Sequence, residues 1–175
     1  MARNRAQTSF FGSDFKRQLP FGGSLCGKSH PKGKRSISTR LPMHVVIRSE
    51  KARGERSMRA SAERMRRVDA IVRGEAKRFG VRVIEFSNVG NHCHMLLKAF
   101  NRRLFISFLR SMTSRLARLL TGARRGRPAE GKFWDFRPFT RVVESHRGYR
   151  IARDYVLKNR LEAEGIVPPR KKPGG

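Results

Sequence analysis

The chain has 175 residues, the size of one domain with extensions. Its 41 Lys and Arg against 13 Asp and Glu give a net charge of +28 and a pI near 11.8. Such a balance points to a polyanionic partner, nucleic acid ahead of an anionic membrane surface. There is no apolar run of the roughly 18 residues that a membrane helix requires, and no signal-peptide core; a soluble, cytoplasmic protein without a membrane partner is expected. The two cysteines, Cys26 and Cys93, form no Cys-x-x-Cys pattern, which excludes a zinc knuckle and argues against a structural disulfide.

Residues 1–40 carry nine Lys or Arg and one acid, Asp14, among Gly and Ser without a period. They read as an irregular basic arm. Phe10, Phe11, Phe15 and Phe21 in it suit hydrophobic anchoring better than base stacking. Residues 41–167 form the predicted domain, and 168–175 a basic tail with Arg170, Lys171 and Lys172. Met43–Arg48, after Pro42, is β-branched and predicts the first strand. Ser57 is placed to cap a helix with apolar side chains at Met58, Ala62, Met65, Val68, Val72, Ala76 and Phe79, stopped by Gly80.

Val81–Ser87 predicts a second strand, with Val81, Val83 and Glu85 on one side and Arg82, Ile84 and Phe86 on the other. Asn88-Val89-Gly90-Asn91 is a turn, and His92–Lys98 a third strand. A second helix is expected over Arg102–Leu120, with Phe105, Phe108, Leu109, Met112, Leu116 and Leu119 inward. A basic loop follows, containing Arg124, Arg125 and Arg127. Phe133–Val143 reads as a fourth strand region, and Arg147–Glu164 as a last helix ended by Gly165 and Pro168-Pro169. This order is the split βαβ arrangement: a ferredoxin-like α+β fold, an antiparallel sheet with helices packed on one face and an extra C-terminal helix carrying Tyr155.

Within the third strand, His92-Cys93-His94 places two imidazoles on one face, with Cys93 and Leu96 read as pointing the other way. Such a pair can hold a metal ion, or be two strand histidines satisfied by local hydrogen bonds. No Asp or Glu occurs from Phe86 through Ala129, a surrounding that favours phosphate. In the last helix, Tyr155 and Asn159 lie one turn apart on one face. Tyr155 offers a phenolic nucleophile, and Asn159 an amide oxygen. Two imidazoles, one carbonyl-type oxygen and open positions suit Mg²⁺ or Mn²⁺ engaged with a phosphate. His44 is strand-borne and within reach of the pair, with core packing the favoured role. Tyr149, with no Asn four residues on, reads as packing; His30 and His146 read as loop residues.

These pieces together resemble the single-tyrosine HUH transposases of bacterial insertion sequences (His, hydrophobic residue, His), especially the REP-associated tyrosine transposases. Asn91-His92-Cys93-His94-Met95-Leu96-Leu97 is similar to the family's metal-binding strand, and Leu41–Arg48 to its opening strand. Trp134, Tyr155, Asn159 and Gly165-Ile166-Val167 resemble its closing segment. The chain departs from the family at Cys93, commonly a bulkier aliphatic, at Arg160, often Pro, and at Asp135-Phe136-Arg137-Pro138, usually polar and Gly-containing.

The resemblance implies that His92 and His94, with Asn159 as third ligand, hold Mg²⁺ or Mn²⁺. Tyr155 would then attack a phosphate of single-stranded DNA, often beside a hairpin, in a nucleoid-associated bacterial enzyme. Phosphate contacts are expected from Arg102, Arg103, Arg110, Arg124, Arg125 and Arg127. A homodimer in which a second chain supplies Tyr155 remains open. So do a non-catalytic nucleic-acid-binding module on the same fold and a domesticated relative that only nicks DNA.

Overall fold

A computed structural model describes residues 35–168 of the chain. The phenylalanines of the arm, Cys26, His30 and the three basic residues of the tail lie outside the described residues. Four strands form one antiparallel sheet: β1 (Met43–Arg48), β2 (Val81–Asn88), β3 (His92–Ala99) and β4 (Phe139–Val142), in the order β2-β3-β1-β4. Among the described residues, three α-helices, α1 (Ala62–Arg78), α2 (Arg102–Thr121) and α3 (His146–Ala163), and a short 3-10 turn at Gly54–Arg56 complete the fold. The arrangement is the ferredoxin-like α+β sandwich expected.

The two sheet faces have different jobs. On β3, Cys93, Met95, Leu97 and Ala99 point into the main core with Met43, Val45 and Ile47 of β1. Val68, Val72 and Ala76 of α1, and Phe105, Phe108, Met112 and Leu116 of α2, close that core. Leu96 departs from the expectation: it faces the other way from Cys93, packed with Val143 and Ala152 of α3. The alternation of side chains along a strand gives Leu96 the parity of His92 and His94, so all three share the face that α3 covers.

Local details shift some predicted boundaries. The side chain that caps α1 is Ser61, whose oxygen accepts from the Arg64 backbone N–H. Ser57 instead accepts from the Arg59 N–H in the preceding loop, and Met58, though buried, is outside the helix. The face of α1 also buries Glu75, paired with Arg115 of α2, in place of the expected Ala62. β2 does not alternate evenly. A bulge between Val83 and Glu85 puts Phe86 opposite Met95 and in the main core, while Ile84 packs on the α3 side. The hairpin turn before β3 needs Gly90 at φ 100°, where an added Cβ would stand 3.1 Å from the Ser57 hydroxyl.

The fourth strand is shorter than the predicted region. Phe133 to Pro138 crosses the end of β1 as a loop, because its groups are engaged elsewhere. The Asp135 N–H donates to Arg48 O, its carboxylate accepts from the Glu50 N–H, and Phe133 O accepts from Ser49 Oγ. Pro138 has no N–H for a ladder. Trp134 donates through Nε1 to Thr113 O of α2 at 3.0 Å. On the other side of β4, Arg35 donates to Pro138 O and Thr140 Oγ1.

Phe105 and Phe108 are fully buried with ring centroids 6.1 Å apart. Phe105→Ala is expected to lower stability by about 3–5 kcal/mol through lost transfer energy and the cavity left behind. Chemical denaturation would read this as a lower midpoint with an unchanged slope.

Candidate metal and tyrosine site

The α3 face of the sheet carries a row of polar residues at its centre. Strand pairing sets Arg48 opposite His92, Val46 opposite His94 and His44 opposite Leu96. On the far side, Arg141 of β4 pairs with His44. On the near side, Ser87 of β2 pairs with His94. Residues directly opposite each other in an antiparallel pair share a face, so His92, His94, His44, Ser87, Arg48 and Arg141 gather there.

α3 brings Tyr155 onto this row. Its ring lies edge-on to His94, with centroids 5.2 Å apart and planes at 85°, and edge-on to His44 at 5.9 Å. His92 and His94 meet at 4.8 Å, also nearly perpendicular. The tyrosine of the same chain therefore meets His94 and His44. Small residues allow the close approach: Ala152 and Val156, on the buried side of α3, are fully covered. Two contacts fasten the end of the helix. Arg160 pairs with Glu85 beside the β2 bulge at 3.6 Å. Arg59 donates to Ala163 O at 2.8 Å and to Asn88 O at 3.2 Å, tying the helix end to the hairpin that presents His92.

Burial and neighbouring cations keep these imidazoles neutral. Burial, then the Arg141 charge, lowers the pKa of His44 to about 4. Burial, then Arg48, lowers that of His92 to about 4. His94 is pushed well below the ordinary range by burial and by His44 and His92. Neutral imidazoles are the form that binds metal. The ring nitrogens are also disposed for it. His92 Nδ1 is 2.7 Å from Asn91 Oδ1, an acceptor, so Nδ1 carries the proton and Nε2 keeps its lone pair. His94 Nε2 is buried with no hydrogen-bond partner among the described residues, as is Ser87 Oγ. Buried polar atoms without partners are rare, and a ligand is one explanation for them.

Among the described residues, no group of three or more His, Cys, Asp and Glu side chains is placed to hold a metal ion. The donors available are a histidine pair plus oxygens of other kinds. Asn159 lies one turn beyond Tyr155 and donates through Nδ2 to Tyr155 O at 2.7 Å, which leaves Oδ1 as its acceptor. Cys93 is buried on the opposite face and touches Met58, with a thiol that burial pushes far above its usual range; its smaller size is absorbed in the core.

The arginines predicted to contact phosphate lie on α2 and in the loop after it. Arg102, Arg103 and Arg110 are exposed on α2, in the layer across the sheet from the histidines. Arg124, Arg125 and Arg127 are exposed in a tight turn closed by two backbone bonds between Arg124 and Arg127, with Gly126 at φ 83°. Four residues of the site escaped sequence reasoning or were given a lesser role: His44, Arg48, Ser87 and Arg141. Cross-strand register was the only signal that could have found them. Tyr149 packs beside Leu96 and Ala152, as expected of a structural tyrosine. No described helix is long and apolar enough to cross a membrane.

No model of a known protein family matches the chain, and neither does any curated protein. Among solved structures, the chain is similar to a REP-associated tyrosine transposase bound to a REP hairpin. The TM-score is 0.59 at 12% identity, over 78% of this chain and 76% of that one. It also matches a candidate transposase of Deinococcus radiodurans R1, with TM-score 0.45 at 18% identity, over 74% of this chain and 97% of that one. At such identities the likeness to the hairpin-bound transposase concerns the fold.

The buried neutral histidines make stability pH-dependent. His44 binds a proton near pH 6.5 when unfolded but only near pH 4 when folded, so its contribution is complete above about 6.5 and lost as pH falls toward 4. At pH 5 the loss is about 2 kcal/mol from this residue. Thermal melts of the wild type should show a lower midpoint at pH 5 than at pH 7.5, and His44→Gln should narrow the gap.

Proposed function

We propose that the chain cleaves single-stranded DNA and rejoins ends through a covalent 5′-phosphotyrosine link, with a divalent metal. The observation that supports this reading best is the contact of Tyr155 with His94, a buried imidazole whose Nε2 has no partner among the described residues. His92 Nε2, His94 Nε2 and Asn159 Oδ1 would hold Mg²⁺ or Mn²⁺. When bound, the cation would polarise a non-bridging oxygen of the scissile phosphate and offset developing charge.

The residues of the chain supply the rest. The Tyr155 hydroxyl loses its proton and its oxygen attacks phosphorus in line with the leaving 3′-oxygen. The bond from phosphorus to that oxygen breaks, and the oxygen takes up a proton as a free 3′-hydroxyl. The 5′-phosphate stays on Tyr155. A second 3′-hydroxyl reverses the step and returns the phenol, so bond energy is conserved and no nucleotide cofactor is consumed. A phenol with a pKa near 10 needs assistance to ionise at neutral pH. Arg48 and Arg141, at opposite ends of the imidazole row, favour both a phenolate and a phosphate.

The solved structure with TM-score 0.59 holds a REP hairpin, and a hairpin flanked by single strand is the substrate proposed for this chain. With a net charge of +28, binding should weaken steeply with salt. Arg124, Arg125 and Arg127 would contact DNA phosphates from the loop, and Arg102, Arg103 and Arg110 would do so only if the DNA also reaches the α2 layer.

Labelled hairpin DNA with a single-stranded flank, incubated with the protein and Mn²⁺, should yield a covalent adduct on a denaturing gel. Chelation should abolish it, Tyr155→Phe should remove it, and His94→Ala should slow it by two orders of magnitude or more, roughly 3 kcal/mol in the barrier. Persistence of the adduct in Tyr155→Phe would show that another nucleophile acts.

A further inference from the structure

His44 makes a contact that core packing does not require. Its Nε2 lies 3.4 Å from His94 Nδ1. The two rings are almost parallel, at 6°, with centroids 5.5 Å apart. That separation is close to the nitrogen distance plus the two ring radii, so the rings meet edge to edge. The line between the nitrogens then runs within both ring planes, where imidazole lone pairs and N–H bonds point. Phe139, at 5.9 Å, and Tyr155 crowd the same ring and hold its orientation. An aliphatic side chain would fill this position without burying two polar nitrogens.

We infer that His44 is a positioning residue: it accepts the Nδ1 proton of His94 and so leaves His94 Nε2 with the lone pair that a cation needs. The inference rests on the reading of His92 and His94 as a metal pair. The reverse direction would place a proton on His94 Nε2 and so occupy the lone pair that a cation needs. His92 is set in the same way by Asn91. Each ligand thus has its own acceptor behind it, one from the turn and one from the neighbouring strand.

Two measurements on the full chain test this. In the metal-free protein at pH 7.5, nitrogen-15 correlation spectra of the imidazoles should show His94 protonated at Nδ1, against the Nε2-protonated form that free histidine side chains prefer. Calorimetric titration with Mn²⁺ should show about 10–100-fold weaker binding for His44→Phe. Binding within a few-fold of wild type is expected for His44→Gln, whose amide oxygen can replace the acceptor. If His94→Ala binds Mn²⁺ as wild type does, the metal-pair reading fails. If His94→Ala loses binding while His44→Phe keeps it, or if wild-type His94 carries its proton on Nε2, the pair stands and the role of His44 is overturned. Should His44→Phe not fold, the wild-type spectrum and His44→Gln decide the matter.

Discussion

Everything at the candidate site depends on how one sheet face is divided between apolar and polar burial. β3 is covered on both sides, yet its alternate residues meet different surroundings. Cys93, Met95 and Leu97 enter a hydrophobic core closed by two helices. His92 and His94 enter a row of imidazoles closed by one. Removing neutral imidazoles from water is costly unless their nitrogens find partners. Asn91 and His44 provide two of those partners, and His94 Nε2 keeps none among the described residues. The constraint is therefore chemical as well as steric: some polar atoms of this row engage one another, while His94 Nε2 and Ser87 Oγ have no partner among the described residues.

The same constraint explains the build of α3. A helix lying over imidazoles cannot rely on a broad apolar seam, and its buried contacts are few and small: Gly148, Ala152 and Val156. Compensation comes from its end. Arg160 reaches Glu85, and Arg59 accepts the task of closing the last turn by donating to Ala163 O. The bulge in β2 is part of this device, since it turns Glu85 toward the helix while returning Phe86 to the core. In the segment after Trp134, Asp135 caps the end of β1 beside Arg48.

Strand and helix periods were readable because each element follows a single rule. The shared face of His92 and His94 and the inward face of α2 from Phe105 to Leu116 follow from spacing, and the glycines that end α1 and α3 mark their stops. Three features did not follow. The parity of Leu96 required keeping one strict count along β3. The bulge in β2 obeys no local pattern, and it sets Glu85 and Phe86 on opposite faces. Ser61 in place of Ser57 as the cap was settled by the loop, whose Ser57 hydroxyl is spent on Arg59 and stands against Gly90.

By itself the amino-acid order determined the split βαβ sequence of elements, the shared face of His92 and His94, and the shared face of Tyr155 and Asn159. These are properties of neighbours along one strand or one helix turn, and covalent geometry carries them. Only the tertiary structure decided that Tyr155 meets His94, that His44 joins His94 edge to edge, and that the arginines of α2 stand across the sheet. Those relations depend on strand register and on which layer a helix joins, and packing among residues far apart in the chain settles both.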